Sequence, residues 1–261
     1  MIRKPTLSPS KITTYLACPT KYALTYVDPR GRWYLKSKSY YSFGTTLHAV
    51  LQRFHDAGDT GVTTSHEAVA ALEESWIDAG YSSQEEMMEA QAEGKAIVAD
   101  YIEAVQREPV TAKTLFVEKS MRLDMGEFDL IGRIDRVDER EDGTLEIIDY
   151  KSGRQAVSES DVADDLAMAC YQLMLRAAYP GREVVATIIA LRSRSKATAS
   201  LEDADALTED LQAIGKEILH RDYENLAPTP KPLCHDCDFL AFCRKNQDFA
   251  EAYRPREASD A

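Results

Sequence analysis

Two β-rich runs, residues 128–137 and 144–150, flank Glu141-Asp142-Gly143, and the turn between them constrains this chain more than any other feature. A hairpin centred on Asp142 sets residues whose numbers add to 284 opposite each other, and Asp135 and Asp149 meet that condition. Opposed residues of an antiparallel pair have Cα atoms about 4.5–5.5 Å apart, close enough for two carboxylates to share a divalent ion. Period-2 alternation puts Lys151 on the face of Asp149, with Ile147 and Leu145 continuing it. Two acids and a lysine on one half-buried face are costly unless something binds there. Hard oxygen donors suit Mg²⁺ or Mn²⁺. Such an ion activates a water and clamps a phosphate oxygen, while Lys151 positions the water or offsets charge growing on the phosphate. An isolated D-x-K on a strand is otherwise a surface salt bridge; the opposed Asp135 and the apolar Ile147-Ile148 flank weigh against that here.

The rest of the chain reads as an α/β protein. Helical spacing covers residues 44–55, 65–80, 84–107, 161–179 and 201–223, with strands predicted at 114–123 and 184–191. At 261 residues, 44% apolar and 29% charged, the chain is neither disordered nor fibrous. Its most apolar run, residues 184–191, is far short of the ~20 residues of a membrane span, and residues 1–20 show no apolar signal core. Five cysteines are too few for a disulfide scaffold and odd in number, so a cytoplasmic protein with thiolate ligands is expected. The net charge of −13 hides an asymmetry, because residues 1–40 hold eight bases and one acid. Interleaved with those bases are Tyr15, Tyr22, Tyr26, Trp33, Tyr34 and Tyr40, the ingredients of single-strand binding or, equally, of an aromatic core under a solvated surface.

The G-x-x-D … D-Y-K pattern of Gly132, Asp135 and Asp149-Tyr150-Lys151 resembles motifs II and III of the PD-(D/E)XK nuclease superfamily, in its RecB-like branch. Gly44-Thr-Thr-Leu-His48 is similar to that branch's upstream G-x-x-x-H helix, and Tyr171-Gln172-Leu173 to its Q-containing motif. The resemblance implies His48, Asp135 and Asp149 as metal ligands, Lys151 as the catalytic lysine, and Gln172 with Tyr171 as supports of the site. It implies a restriction-endonuclease-like core, a mixed central sheet flanked by helices. Glu118, on the strand before the hairpin, is placed where it could touch the site, although a solvent-facing position is expected.

Cys234, Cys237 and Cys243 form a C-x2-C-x5-C cluster after a proline-bounded segment, a spacing that suits zinc or an iron–sulfur cluster. A fourth ligand is needed. Cys18, at the end of a short helix, is the better candidate; Cys170 lies mid-helix, where a small buried residue is expected. One N-terminal and three C-terminal cysteines resemble the iron–sulfur RecB-like nucleases, which include the AddB C-terminal nuclease domain and CRISPR-associated exonucleases. That implies a 4Fe–4S staple joining the N- and C-terminal segments, with structural zinc, held by four thiolates or with His235 replacing one, as the alternative.

The expected organisation is one nuclease domain over residues 1–261. It comprises a basic aromatic segment (1–43), an acidic helical insertion (55–110), a catalytic core (111–200), the cysteine segment (227–245) and a tail (246–261). The expected activity is metal-dependent hydrolysis of DNA, by a single-strand exonuclease in repair, recombination or CRISPR spacer processing. A non-catalytic DNA-binding or scaffold subunit of a helicase–nuclease complex is the alternative. No G-x-x-x-x-G-K-[ST] occurs, so a duplex substrate implies a separate helicase or CRISPR adaptation proteins as partners.

Overall fold

The computed structural model describes residues 4–56, 61–108 and 111–255. Residues 57–60 and 109–110 of the expected insertion, Arg3 of the basic segment and residues 256–261 of the tail lie outside the described residues. The chain begins with β1 (Thr6–Leu7), α1 (Pro9–Ala17) and α2 (Pro19–Tyr22), then a π-helical turn (Ala23–Val27) and a 3-10 turn (Pro29–Trp33). Next come α3 (Ser39–His55), α4 (Ser65–Glu74), α5 (Gln84–Arg107), β2 (Lys113–Asp124), β3 (Asp129–Glu139) and β4 (Leu145–Lys151). α6 (Glu159–Ala163), α7 (Leu166–Ala178), β5 (Val184–Ala190), β6 (Ser195–Ala199) and α8 (Ala204–His220) follow, and α9 (Leu240–Cys243) and α10 (Gln247–Ala252) end the chain. None of the helices is long and apolar enough to cross a membrane among the described residues. By packing, the chain divides into two compact units: the residues up to Pro9 with Ser37–Gln212, and Ser10–Lys36 with the residues from Ala213 onward.

The first unit is built on a six-stranded mixed sheet. β2 runs antiparallel along the whole of one edge of β3. Two strands share the other edge. β1 lies parallel to the start of β3, with Thr6 opposite Asp129, and β4 is antiparallel to its end, with Arg136 opposite Ile148. Between them the sheet forks, and no strand pairs with residues 131–135 on that edge among the described residues. β5 adds in parallel to β4 and β6 antiparallel to β5. Six of the seven residues of β4 are buried, because helices cover both faces of the sheet. Met168 and Leu175 of α7 pack on Ile134, Ile147 and Val184. On the opposite face Phe43, Leu47, Leu72 and Ile102, from α3, α4 and α5, pack on Ile148 and Tyr150. This mixed sheet flanked by helices fits the restriction-endonuclease-like core expected from the motifs.

Two expectations are corrected in ways that affect the site. Helix α3 starts at Ser39 rather than Gly44, because Phe43 extends the buried stripe of Leu47, Val50 and Leu51 by one turn. The helix expected over residues 161–179 is two helices. It breaks at Asp164-Asp165, where the Asp165 carboxylate caps α7 by accepting from Ala167 N at 2.8 Å and Met168 N at 3.1 Å. After β5 the chain turns back at once, with Arg194 at a φ of 55°, into the strand β6.

In the second unit Tyr22 packs between Tyr15 (centroids 5.5 Å) and Tyr223 (5.7 Å), and the Tyr15 hydroxyl donates to Glu217 at 2.6 Å. Two of the six aromatics of the motif are therefore core: Tyr15 and Tyr22 are buried, whereas Trp33 is 75% exposed. Gly31 fixes the turn between these groups, because a Cβ there would stand 1.6 Å from the Leu24 carbonyl oxygen. Backbone cannot yield as a side-chain tip can, and overpacking typically costs about 1–3 kcal/mol. Gly31→Ala is expected to destabilise the protein by about 2 kcal/mol or more, read from its urea midpoint; a wild-type midpoint would contradict this packing.

Candidate active site

The fork in the sheet decides where the acids go. The 284 register holds along the ladder up to Arg136 opposite Ile148, and Asp135 and Asp149 are the next pair, just beyond its last rung. There the ladder bond is replaced: Tyr150 N donates to Asp135 Oδ2 at 3.1 Å. The same carboxylate oxygen lies 3.2 Å from His48 Nδ1 on α3, while His48 Nε2 donates to the Tyr150 carbonyl at 2.9 Å. His48 is thereby held as a double donor. Burial opposes its charge, but the hydrogen bond to Asp135 and the charges of Asp135 and Asp149 outweigh burial and raise its pKa to about 9.

Asp149 is buried, and its Oδ2 sits 2.9 Å from Lys151 Nζ without a well-directed hydrogen bond. Burial raises its pKa, Lys151 pulls it down and Asp135 pushes it up again. For Lys151, burial works against the charge, but Asp149, Asp165 and Asp135 keep the pKa above its ordinary value. Its ammonium group lies between Asp149 and the Asp165 cap, 3.6 Å from the latter, and its side chain is 45% exposed.

Of the residues implied by the resemblance, His48, Asp135, Asp149 and Lys151 come together. Tyr171 joins them from α7: its ring covers Gly132, where a Cβ would stand 2.5 Å from Cε1. Its pKa is raised by burial and then by Asp149 and Asp135. This gives the glycine of G-x-x-D a physical reason. Gln172 is one residue further round the helix, and its amide oxygen accepts from Leu201 N at 2.8 Å. Tyr171 and Gln172 therefore serve different neighbours.

Glu118 is the residue the sequence reading set aside. Far from facing solvent, its side chain is 13% exposed, and ligand atoms of His48, Glu118 and Asp135 lie within 4.8 Å of one another. Asp149 stands outside that close group. Burial and then Asp135 raise the pKa of Glu118, and its other neighbour is Arg133. β2 and β3 pair at numbers adding to 253, as Val117 with Arg136 and Lys119 with Ile134 do, which sets Glu118 against Asp135. Its φ of 47° is a strained value for a non-glycine residue in a strand. Asp165 was also missed, although a pair of aspartates before an apolar helical run is an N-cap signal.

The donor set fits a hard divalent ion: carboxylates and an imidazole converge, and the buried Asp149 Oδ2 lacks a well-directed partner. The arginines after β5 are occupied elsewhere, Arg192 by Glu93 at 2.8 Å and Arg194 by Asp100.

In the second unit, Cys237 feels the charges of Cys234 and Cys18, and Cys243 those of Cys237, Cys18 and Cys234. Burial first, and then these neighbours, raise the Cys243 thiol to about 12. Lys21 N points to Cys18 Sγ and Lys231 N to Cys234 Sγ, each at 3.4 Å. Cys170 lies in the first unit, and its thiol is raised to about 12 by burial and then by Asp165, with none of the other cysteines involved.

Comparison with known proteins agrees with the site. The sequence model of the PD-(D/E)XK nuclease superfamily matches residues 6–244. The chain belongs to that superfamily. It is a nuclease, of a class that uses divalent metals. No curated protein matches it. Among solved structures, SSO0001 is similar at 12% identity, covering 79% of this chain and 96% of its own, with a TM-score of 0.33. A structure described as "Putative exonuclease" from Eubacterium rectale has 12% identity, coverage of 87% and 97%, and a TM-score of 0.36.

Because His48 is protonated up to about pH 9, a metal that takes its nitrogen must displace that proton. Metal affinity is therefore expected to rise with pH from about 6.5 to 9, by up to about tenfold per unit, and to level off above. Calorimetric Mn²⁺ titration in two buffers of different ionisation enthalpy checks this; affinity that is flat with pH, without proton release, would contradict it. The metal-free protein has the opposite trend: the stability from charged His48 is full below its ordinary 6.5 and is lost as pH rises through about 9.

Proposed function

We propose that this nuclease is a metal-dependent deoxyribonuclease of the RecB-like branch that trims single-stranded DNA from an end. The observation that carries the reading is the convergence of His48, Glu118, Asp135, Asp149 and Lys151 at the fork between β3 and β4. Mg²⁺ or Mn²⁺ would be held by His48, Asp135 and Asp149, with Glu118 beside them, and would supply an activated water and a clamp on a phosphate oxygen. Lys151 keeps its proton and faces outward enough to meet a phosphate, offsetting charge as it develops. Tyr171 closes the face over Gly132. Gln172 acts through Leu201, by fixing the segment that follows β6.

Exposed aromatics paired with cations support a single-stranded substrate, because only unpaired bases can stack on them. Arg32 lies 4.7 Å from the Trp33 ring centroid and Lys11 5.7 Å from that of Tyr26. A duplex substrate would need a separate helicase or CRISPR adaptation proteins to supply a free strand. Five unpaired thiols agree with a cytoplasmic setting.

Cys18, Cys234, Cys237 and Cys243 would carry a 4Fe–4S cluster joining the N- and C-terminal segments.

Anaerobically purified protein with Mg²⁺ or Mn²⁺ is expected to shorten end-labelled single-stranded DNA. Asp149→Ala and Lys151→Ala should each lower the rate at least about a hundredfold while keeping the fold. Failure of folded, cluster-loaded wild-type protein to cut would move the reading to a non-catalytic DNA-binding subunit. Cys18→Ala should lose iron and visible absorbance as fully as Cys237→Ala, while Cys170→Ala keeps both. A fully loaded Cys18→Ala protein would remove Cys18 from the ligand set.

A further inference from the structure

The first turn of α3, the N-terminal half of α5 and the loop after β4 enclose an open cleft of about 640 Å³ within the first unit. Covalent connection places it beside the chemistry. Ser152 and Gly153, on its wall, directly follow Lys151. Tyr40 and Phe43 lie on the same helix as His48, and eight residues of helix span about 12 Å. Helix and loop touch there, since a Cβ on Gly44 would stand 3.2 Å from Ser152 Oγ.

The walls are stiff. Arg192 holds Glu93 through two 2.8 Å bonds, donates to the Ser152 carbonyl and covers the Phe43 ring at 4.4 Å. Tyr81 stacks on Trp76 at 5.8 Å, and its buried hydroxyl has no hydrogen-bond partner. Tyr40, 60% exposed, stands at the mouth. Glu86, Glu89 and Glu93 line one side, and Arg154, with its side chain 79% exposed, is on the rim.

That chemistry selects its occupant. A phosphate inside would face three carboxylates and only one arginine not already committed to a bidentate pair. A nucleobase instead offers a π face to Tyr40 and N–H donors to a carboxylate. We propose that this cleft seats the base of the nucleotide next to the scissile phosphate. The base stacks at Tyr40, places an exocyclic amine on Glu89 and leaves its phosphate outside at Arg154. Cytosine, adenine and guanine carry such an amine and thymine does not, so the site favours amine-bearing bases. The inference rests on the nuclease reading above.

The test compares oligo-dC with oligo-dT in two assays. One is Mn²⁺-dependent cleavage by wild-type, Glu89→Gln and Tyr40→Ala proteins. The other is binding, by fluorescence anisotropy, to the same three in a Lys151→Ala background. Wild type should favour dC by about tenfold in kcat/KM and in affinity, and Glu89→Gln should erase that preference. Tyr40→Ala should weaken dC binding about tenfold, the scale of one lost base–aromatic stack, raising KM more than it lowers kcat. Cleavage that ignores base and both substitutions overturns the cleft and leaves the nuclease standing. Selective, Tyr40- and Glu89-dependent binding without any cleavage by wild type overturns the nuclease and leaves the cleft. Equal binding of dC and dT by all variants, or no binding, overturns the cleft whatever the cleavage result.

Discussion

A single hydrogen bond, from Tyr150 N to Asp135 Oδ2 at 3.1 Å, marks where β3 and β4 stop being a hairpin and become a site. Had the ladder continued, Tyr150 N would have donated to the backbone carbonyl of Ile134, with the carboxylates of Asp135 and Asp149 standing out on one face. The side chain of Asp135 instead takes the place of a backbone acceptor, and the strands part. The opening lets helices on opposite faces of the sheet serve the same carboxylates. His48 of α3 binds Asp135 on one side, while Tyr171 of α7 is shifted by Asp149 and Asp135 on the other. Burial then makes every charge in the fork depend on its neighbours. Lys151 stays charged because Asp149, Asp165 and Asp135 surround it, and the pKa values of Asp149 and Glu118 are raised first by burial and further by the charge of Asp135, which a bound cation would offset.

Period and register carried most of this in the sequence. Counting about Asp142 gave the strand register observed between β3 and β4. The register between β2 and β3 is centred between Gly126 and Glu127, one residue beyond the middle of the 124–127 turn, and only that centre sets Glu118 against Asp135. Local pattern could not show the splay after Arg136 or the φ of Glu118, because both depend on which strand occupies the far edge of β3. That edge is shared by Thr6 and Leu7, two residues too short to read as a strand. Gln172 shows the opposite limit. It lies within a motif, but on a helix of 3.6 residues per turn adjacent positions point about 100° apart, so Tyr171 and Gln172 cannot serve the same group.

The two histidines of α3 show why spacing alone cannot assign a role. His48 and His55 are one heptad apart, and both are largely buried against Tyr150, at 5.9 and 6.5 Å between ring centroids. His48 meets a carboxylate and the Tyr150 carbonyl oxygen, so protonation gives it two acceptors. His55 meets donors: its Nε2 lies 2.5 Å from Arg136 Nη1 and 2.8 Å from the Tyr101 hydroxyl. Burial, and then the Arg136 charge, lower its pKa to about 2, so it stays neutral and acts as an acceptor. Arg136 also donates to Tyr150 Oη at 2.7 Å and pairs with Asp138 at 3.0 Å. The ring of Tyr150 is thus anchored by His55 and Arg136 while its backbone is held by His48 and Asp135. The residue between Asp149 and Lys151 is fixed at both ends, and both take their positions from it.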